Sequence, residues 1–215
     1  MNISVAGIAK KGLPEGFAYA DELVPDCIVD AKYAGTDNFM GAPVDGYRAP
    51  LVVVSRALGV GLIRAADLLR QKGYLLKLFD GYRPQRAVDC FARWAADAAD
   101  VRRKPVHYPN VPEKRMLFEL GYIAAKSGHT RGRSIDLTLV DAATHQELDM
   151  GSAFDYMDAR SHHGAAGLTS PQEANRLVLR EAMLACGFTP YEDEWWHYNI
   201  APEPFPDTYF DFPVE

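Results

Sequence analysis

At 215 residues, 48% hydrophobic and 24% charged, the chain is long enough to bury a full core as one domain without covalent staples. A formal net charge of −6, with no basic stripe or tail, argues against nucleic acid and anionic membrane surfaces as partners. Cys27, Cys90 and Cys186 are odd in number and widely spaced, which excludes a disulfide framework and a thiolate metal site and suits free thiols in a reducing compartment.

The start, MNISVAGIAKKGLPEG, has no basic region ahead of an apolar run, and no segment reaches the ~18 continuous apolar residues of a membrane span. A cytoplasmic protein is expected. The basic runs Lys10-Lys11 and Arg102-Arg103-Lys104 read as solvated loops.

The first ~48 residues, rich in Gly, Pro and Asp, read as irregular structure and short strands wrapping a core. From Ala49 the pattern turns helical: Pro50 can open a helix, and Val54, Leu58, Leu62, Ala65, Leu68 and Leu69 keep helical spacing as far as Gly73. Gly59 and Gly61 weaken its middle. Tyr74 to Phe79 is short and apolar and follows a glycine, so it reads as a buried strand ending at Asp80. Pro84 opens a second helix with Val88, Phe91 and Trp94 or Ala95 on one face.

Pro105, Pro109 and Pro112 mark residues 100 to 115 as an extended loop. Ser134 to Val140 alternates polar and β-favouring apolar residues, a strand carrying Asp136. Pro171 to Cys186 forms a third helix closed by Gly187, and Trp195 to Ile200 a strand carrying His197. Helices first and strands late predict an α+β fold, one domain over 1–215, with a mainly antiparallel central sheet flanked by helices.

The chemistry concentrates in SGHTRGRSIDLTL, with His129 and Asp136, and in EWWHY, with Glu194 and His197. Two imidazoles and one carboxylate are three protein ligands, which leaves a tetrahedral Zn²⁺ with an open position and distinguishes a catalytic site from a structural one. Glu194 is then free to take a proton from water, so the cluster points to metal-assisted hydrolysis. Geometry imposes a condition. At ~3.3 Å per residue, His129 and Asp136 would stand over ~20 Å apart on an extended chain. Thr130-Arg131-Gly132 must therefore turn it back, with Gly132 supplying φ > 0. Residues three apart on a strand face opposite sides, so Glu194 is expected on the bend before the strand and His197 on the strand itself. His107, His145, His162 and His163 are assigned to loops or supporting positions.

In Asp80-Gly81-Tyr82-Arg83-Pro84, Arg83 sits at a strand-to-helix junction. Its guanidinium fork suits a substrate carboxylate or a developing oxyanion, and a structural salt bridge to Asp80 or Asp89 is the competing role. KYAGTDNF and GSAFD set Tyr33, Asn38 and Asp155 beside aromatic residues, which alone reads as packing at the edge of a core.

Taken together, KYAGTDNF, PVDGY, FDGYRPQRAV, SGHTRGRSIDLTL, FDYMDARSHH, EWWHY and YFDFPVE resemble, in order from about residue 30 onward, the zinc D-alanyl-D-alanine dipeptidases of the VanX type found in vancomycin-resistance clusters. That family is similar to a larger group of zinc D,D-peptidases that includes D,D-carboxypeptidases and the metal-binding domain of hedgehog proteins. The resemblance implies one Zn²⁺ per chain on His129, Asp136 and His197, with Glu194 as general base and Arg83 stabilising the oxyanion. It further implies that Ser127 and Tyr33 orient a small D,D-dipeptide, that Asp155 takes its ammonium and that Tyr47 lines the cleft. Gly128 and Ser134 depart from the Ser and Ala expected in the resistance enzymes. Two other readings use the same residues, a carboxypeptidase or L,D-peptidase acting on longer peptidoglycan peptides and a zinc-binding module without turnover. The residues are compatible with a monomer or a homo-oligomer.

Overall fold

The structure is a computed structural model and describes residues 7–215. Residues 1–6 of the start considered above lie outside that range. The first part of the chain contributes strand β1 (Phe17–Tyr19), a single turn of helix α1 (Ala20–Leu23), the short strand β2 (Ile28–Val29) and β3 (Val53–Ser55). Helix α2 (Arg56–Gln71) and strand β4 (Tyr74–Asp80) follow, then helix α3 (Gln85–Ala96). Strand β5 (Ser134–Asp141), helix α6 (Ser170–Ala185) and strands β6 (Phe188–Tyr191) and β7 (Glu194–Ile200) complete the frame, after the single-turn helices α4 (Lys104–His107) and α5 (Met116–Glu119).

The helix expected from Pro50 begins only at Arg56. β-branched Val52-Val53-Val54 favours extended chain, and Val53–Ser55 pairs antiparallel with β1. Ser55 then caps α2, its Oγ accepting from the Leu58 amide at 3.2 Å. The buried stripe runs through Leu58, Leu62, Ala65, Ala66 and Leu69, and Leu68 faces outward. A Cβ at Gly59 would lie 2.4 Å from Leu23, and one at Gly61 2.7 Å from Phe188. These glycines weaken the helix but let it press against α1 and β6.

Residues 100 to 115 are not wholly extended. Pro105 falls in the first turn of α4, where a missing N–H costs nothing. β6 was not anticipated, because Pro190 lies inside it. As an edge strand it needs no amide on its outer side.

The main sheet has the order β2-β4-β5-β7-β6. β2 runs parallel to β4, and every other pairing is antiparallel, as the α+β expectation requires. α2 packs on β4 and α6, and α6 on β6. Every residue of β5 from Ser134 to Val140 is buried, so this central strand is covered on both faces. The apolar side chains form one continuous core, and among the described residues no helix is long and apolar enough to cross a membrane.

Candidate metal centre and active site

Directly paired residues on antiparallel neighbours project from the same face of a sheet, so register decides which side chains meet. β4 pairs Leu78 with Leu137, then shifts so that Asp80 rather than Phe79 stands opposite Asp136. This is a bulge, and the displaced Phe79 ring stacks on Phe154 with centroids 4.6 Å apart. β5 pairs Asp136 with His197. Asp80, Asp136 and His197 therefore form a row across three adjacent strands.

His129 joins the row from a 3-10 turn, His129–Arg131, ahead of β5. Gly132 adopts φ 67° and folds the chain back, the turn that the spacing of His129 and Asp136 demands. His129 Nε2 lies 3.3 Å from His197 Nδ1 and 3.3 Å from Asp136 Oδ2, while His197 Nδ1 lies 3.0 Å from Asp136 Oδ1. A tetrahedron with metal–ligand bonds of ~2.0–2.1 Å has edges of ~3.4 Å, and the edge between the two imidazoles matches it. The imidazoles meet different oxygens of Asp136, and one donor atom from each residue lies within 4.8 Å of the others, so the three could hold one divalent cation.

The remaining ring nitrogens support that use. His129 Nδ1–H donates to the Gly81 carbonyl at 2.7 Å, and His197 Nε2–H to Asn199 Oδ1 at 3.2 Å. Each ring then turns its lone pair toward the other. Glycine is required at 81 because a Cβ there would sit 2.3 Å from the Val53 carbonyl oxygen, where this turn packs against β3. Burial pushes the Asp136 carboxyl up, but the two imidazoles outweigh it and hold the group well below the usual range. It remains an anion.

Arg83 Nε donates to Asp80 Oδ2 at 2.9 Å, and its Nη2 lies 3.5 Å from Asp136 Oδ2. The guanidinium also stands 5.1 Å from the ring centres of Tyr33 and Phe91. The salt bridge to Asp80 weighed against a functional role is thus real, yet Arg83 still lines the cavity beside the donors. Tyr47 does not line that cavity, contrary to expectation. It stands behind, its hydroxyl donating to Asp80 Oδ1 at 2.6 Å.

Glu194 is the first residue of β7, directly after the turn at Glu192-Asp193, rather than on the bend itself. Its Oε2 lies 3.8 Å from His197 Nδ1. Burial pushes its carboxyl up to about 7, with His197 pulling down and the Asp136 charge adding to the rise. Asp155 is buried too, in the left-handed region at φ 56°, a conformation that costs energy for a non-glycine residue. Tyr33 donates to its Oδ2 at 3.0 Å, and His107 Nδ1–H donates to its carbonyl at 3.1 Å. Burial, then the charges of Asp136 and Glu194, raise the Asp155 carboxyl well above the usual range. A cation placed there would relieve it.

Ser127 Oγ accepts from the His129 amide at 3.2 Å and also faces the cavity. The space is about 330 Å³, at the small end of the ~300–1,000 Å³ usual for small-molecule sites. Asn38 takes no part. Its amide nitrogen donates to the carbonyls of Lys32, Gly35 and Ala42, and its oxygen accepts from Met40 and Gly41, so it shapes one loop. Asp80 and Asn199 are the residues that sequence reasoning did not single out for the site. The signal for Asn199 was available, because it stands two places beyond His197 and so on the same face of the strand.

Three donors that could hold one metal ion, with a neighbouring buried acid, at one end of a mixed sheet, suit a metallopeptidase. Comparison with known proteins makes the class specific. The sequence profile of the M15 peptidases, described as D-Ala-D-Ala dipeptidase, matches residues 14–215. The chain is 52% identical to a D-alanyl-D-alanine dipeptidase of Streptomyces coelicolor over 92% of its length and 98% of the relative's. It is 48% identical to one of Enterococcus faecium, covering 93% of this chain and 98% of that one. A relative of the same name in Escherichia coli is 29% identical over 83% of this chain and 81% of its own. The chain belongs to the M15 family of metallopeptidases, in its D-Ala-D-Ala dipeptidase branch.

Proposed function

We propose that this chain, as one catalytic domain, hydrolyses the free dipeptide D-Ala-D-Ala to two molecules of D-alanine, using one zinc ion per chain held by His129, Asp136 and His197. The observation that carries this reading is Asp155, a buried carboxyl in a small cavity with a tyrosine hydroxyl against it and, among the described residues, no cation in contact with it. An α-ammonium is the partner that it lacks. The curated relatives named D-alanyl-D-alanine dipeptidase support the substrate.

Bound zinc supplies a Lewis acid that acidifies water and polarises the scissile carbonyl. Glu194, with a carboxyl at about 7, accepts a proton from the attacking water and returns it to the leaving amine. Arg83, steered by Asp80, donates to the oxyanion as it develops. Asp155 receives the substrate ammonium, and Ser127 and Tyr33 orient the dipeptide, Tyr33 through its hydroxyl on Asp155. An acylated amine would leave Asp155 buried and unpaired, a penalty of ~1–3 kcal/mol that rejects longer peptides. Tyr47 acts through Asp80 rather than on the substrate. We place the reaction in the cytoplasm. There it removes D-Ala-D-Ala from the supply for cell-wall assembly, which serves resistance to vancomycin, immunity in a producer organism or recovery of D-alanine.

The test is release of D-alanine from D-Ala-D-Ala by the zinc-loaded protein, run beside N-acetyl-D-Ala-D-Ala and a tripeptide ending in D-Ala-D-Ala. Cleavage of the free dipeptide alone is expected. Cleavage of the longer peptides would make the protein a carboxypeptidase, and cleavage of none with zinc bound would leave a metal-binding module.

A further inference from the structure

Two residues before Asp136 on β5, Ser134 pairs with Asn199, which lies two residues beyond His197 on β7. The side chains of Ser134, Asp136, His197 and Asn199 therefore project from one face of the sheet. Ser134 is 1% exposed, and its Oγ–H donates to Asn199 Oδ1 at 2.6 Å. The same amide oxygen accepts from His197 Nε2–H at 3.2 Å. Gly128, on the far side of the hydroxyl, has an ordinary helical φ of −61°, so its backbone does not call for glycine. Space does, because a Cβ there would lie 2.4 Å from Ser134 Oγ.

An imidazole can offer Nδ1 to a metal only while its proton sits on Nε2. Asn199 presents an acceptor to that proton, provided the amide oxygen rather than the amide nitrogen faces the ring. Ser134, donating to the same oxygen, holds it there. We infer that Ser134 and Asn199 are positioning residues that set the ring orientation and tautomer of His197 for metal binding, and that Gly128 keeps open the space the Ser134 hydroxyl occupies. The inference rests on reading His197 as a metal ligand. It assigns to the two departures inside the SGHTRGRSIDLTL motif a joint purpose, since the room released at 128 is filled by the hydroxyl at 134.

The experiment is zinc affinity of the full-length chain, measured by competition with a chromophoric chelator for the wild type and for N199L, N199D, S134A and the S134A/N199L pair. Outer hydrogen-bond partners of metal-bound histidines are worth ~10–100-fold in affinity. N199L, which keeps the size but removes the acceptor, should fall in that range. N199D, which keeps an acceptor, should bind within about threefold of the wild type and well above N199L. S134A should weaken binding by ~3–10-fold on its own and have no further effect in the N199L background, because Ser134 acts only through Asn199. G128A should reproduce the S134A loss and add little to it in a G128A/S134A double variant.

Rescue by N199D and the missing S134A effect in the N199L background separate positioning from general destabilisation, which would strike every variant independently. Equal affinity in N199L and the wild type, or an S134A loss that persists in N199L, would overturn the inference while leaving the metal site standing. A wild-type chain that takes up no zinc would overturn both.

Discussion

Asp80 and Asp136 face each other across β4 and β5 because the bulge at Phe79 moves Asp80 one place along its strand. Both carboxylates are buried, and two anions so placed are costly unless cations share them. Arg83 does so, through Nε at 2.9 Å from Asp80 and Nη2 at 3.5 Å from Asp136. Burial raises the Asp80 carboxyl, with Arg83 and His129 pulling against it. The bulge thus links the candidate metal donors to the guanidinium beside them.

Replacing Asp80 with Ala should release Arg83 from its orientation. kcat should fall by at least ~10-fold, on the scale of losing part of an oxyanion contact, with zinc content unchanged. Tyr47→Phe, which removes only the hydroxyl on Asp80, should cost less. Steady-state kinetics beside metal analysis tests both, and full activity in the Asp80 variant would sink the link.

Glu194→Ala and His197→Ala should fail in different ways. The first should keep stoichiometric zinc and lose at least ~10²-fold in kcat, the usual scale of a missing general base. The second should lose the metal. Activity in the wild type should disappear on chelation and return with added zinc.

Asp155→Asn keeps the size of the side chain but cannot pair with an ammonium as a charge. KM for D-Ala-D-Ala should rise by ~10-fold or more, the equivalent of one charged hydrogen bond. The ratio of kcat/KM between the free and N-acetylated dipeptide should shift toward the acetylated one. An unchanged ratio would remove Asp155 from ammonium recognition.

His163 gives a pH dependence of stability. Burial, with help from the Arg180 charge, lowers its ring from the ordinary 6.5 to about 4. Between those values the unfolded chain binds the proton that the folded chain refuses, so stability is complete above pH 6.5 and is lost as pH falls toward 4. The ring is only partly buried, so solvent limits the effect to about 1 kcal/mol. Urea unfolding at pH 7.5 and pH 4.5 should show a smaller loss in His163→Gln than in the wild type, and equal losses would contradict it.

Strands β4, β5 and β7 were legible to within a residue or so because each is a short β-favouring run bounded by a turn signal. The start of α2 was not, since Val54 satisfies both a helical stripe and a strand, and only pairing with β1 decides between them. β6 was hidden by Pro190, whose fitness for a strand depends on a position at the sheet edge. Tyr47 was placed in the cleft and Asn199 overlooked for a shared reason. Whether a polar side chain faces the cavity, or a neighbour that faces it, is set by what packs against it.

By itself, the sequence determined the chemistry available to this protein: two imidazoles and a carboxylate in short recognisable segments, a spare acid three residues from one of them, and a glycine where the chain had to reverse. Those are local properties, carried by residue type, spacing and backbone preference. The tertiary structure alone decided the row of Asp80, Asp136 and His197, the bulge that aligns it and the hydrogen bonds that orient each ring. These depend on register and packing between segments far apart in the chain, where the energies belong to pairs of residues and not to either one.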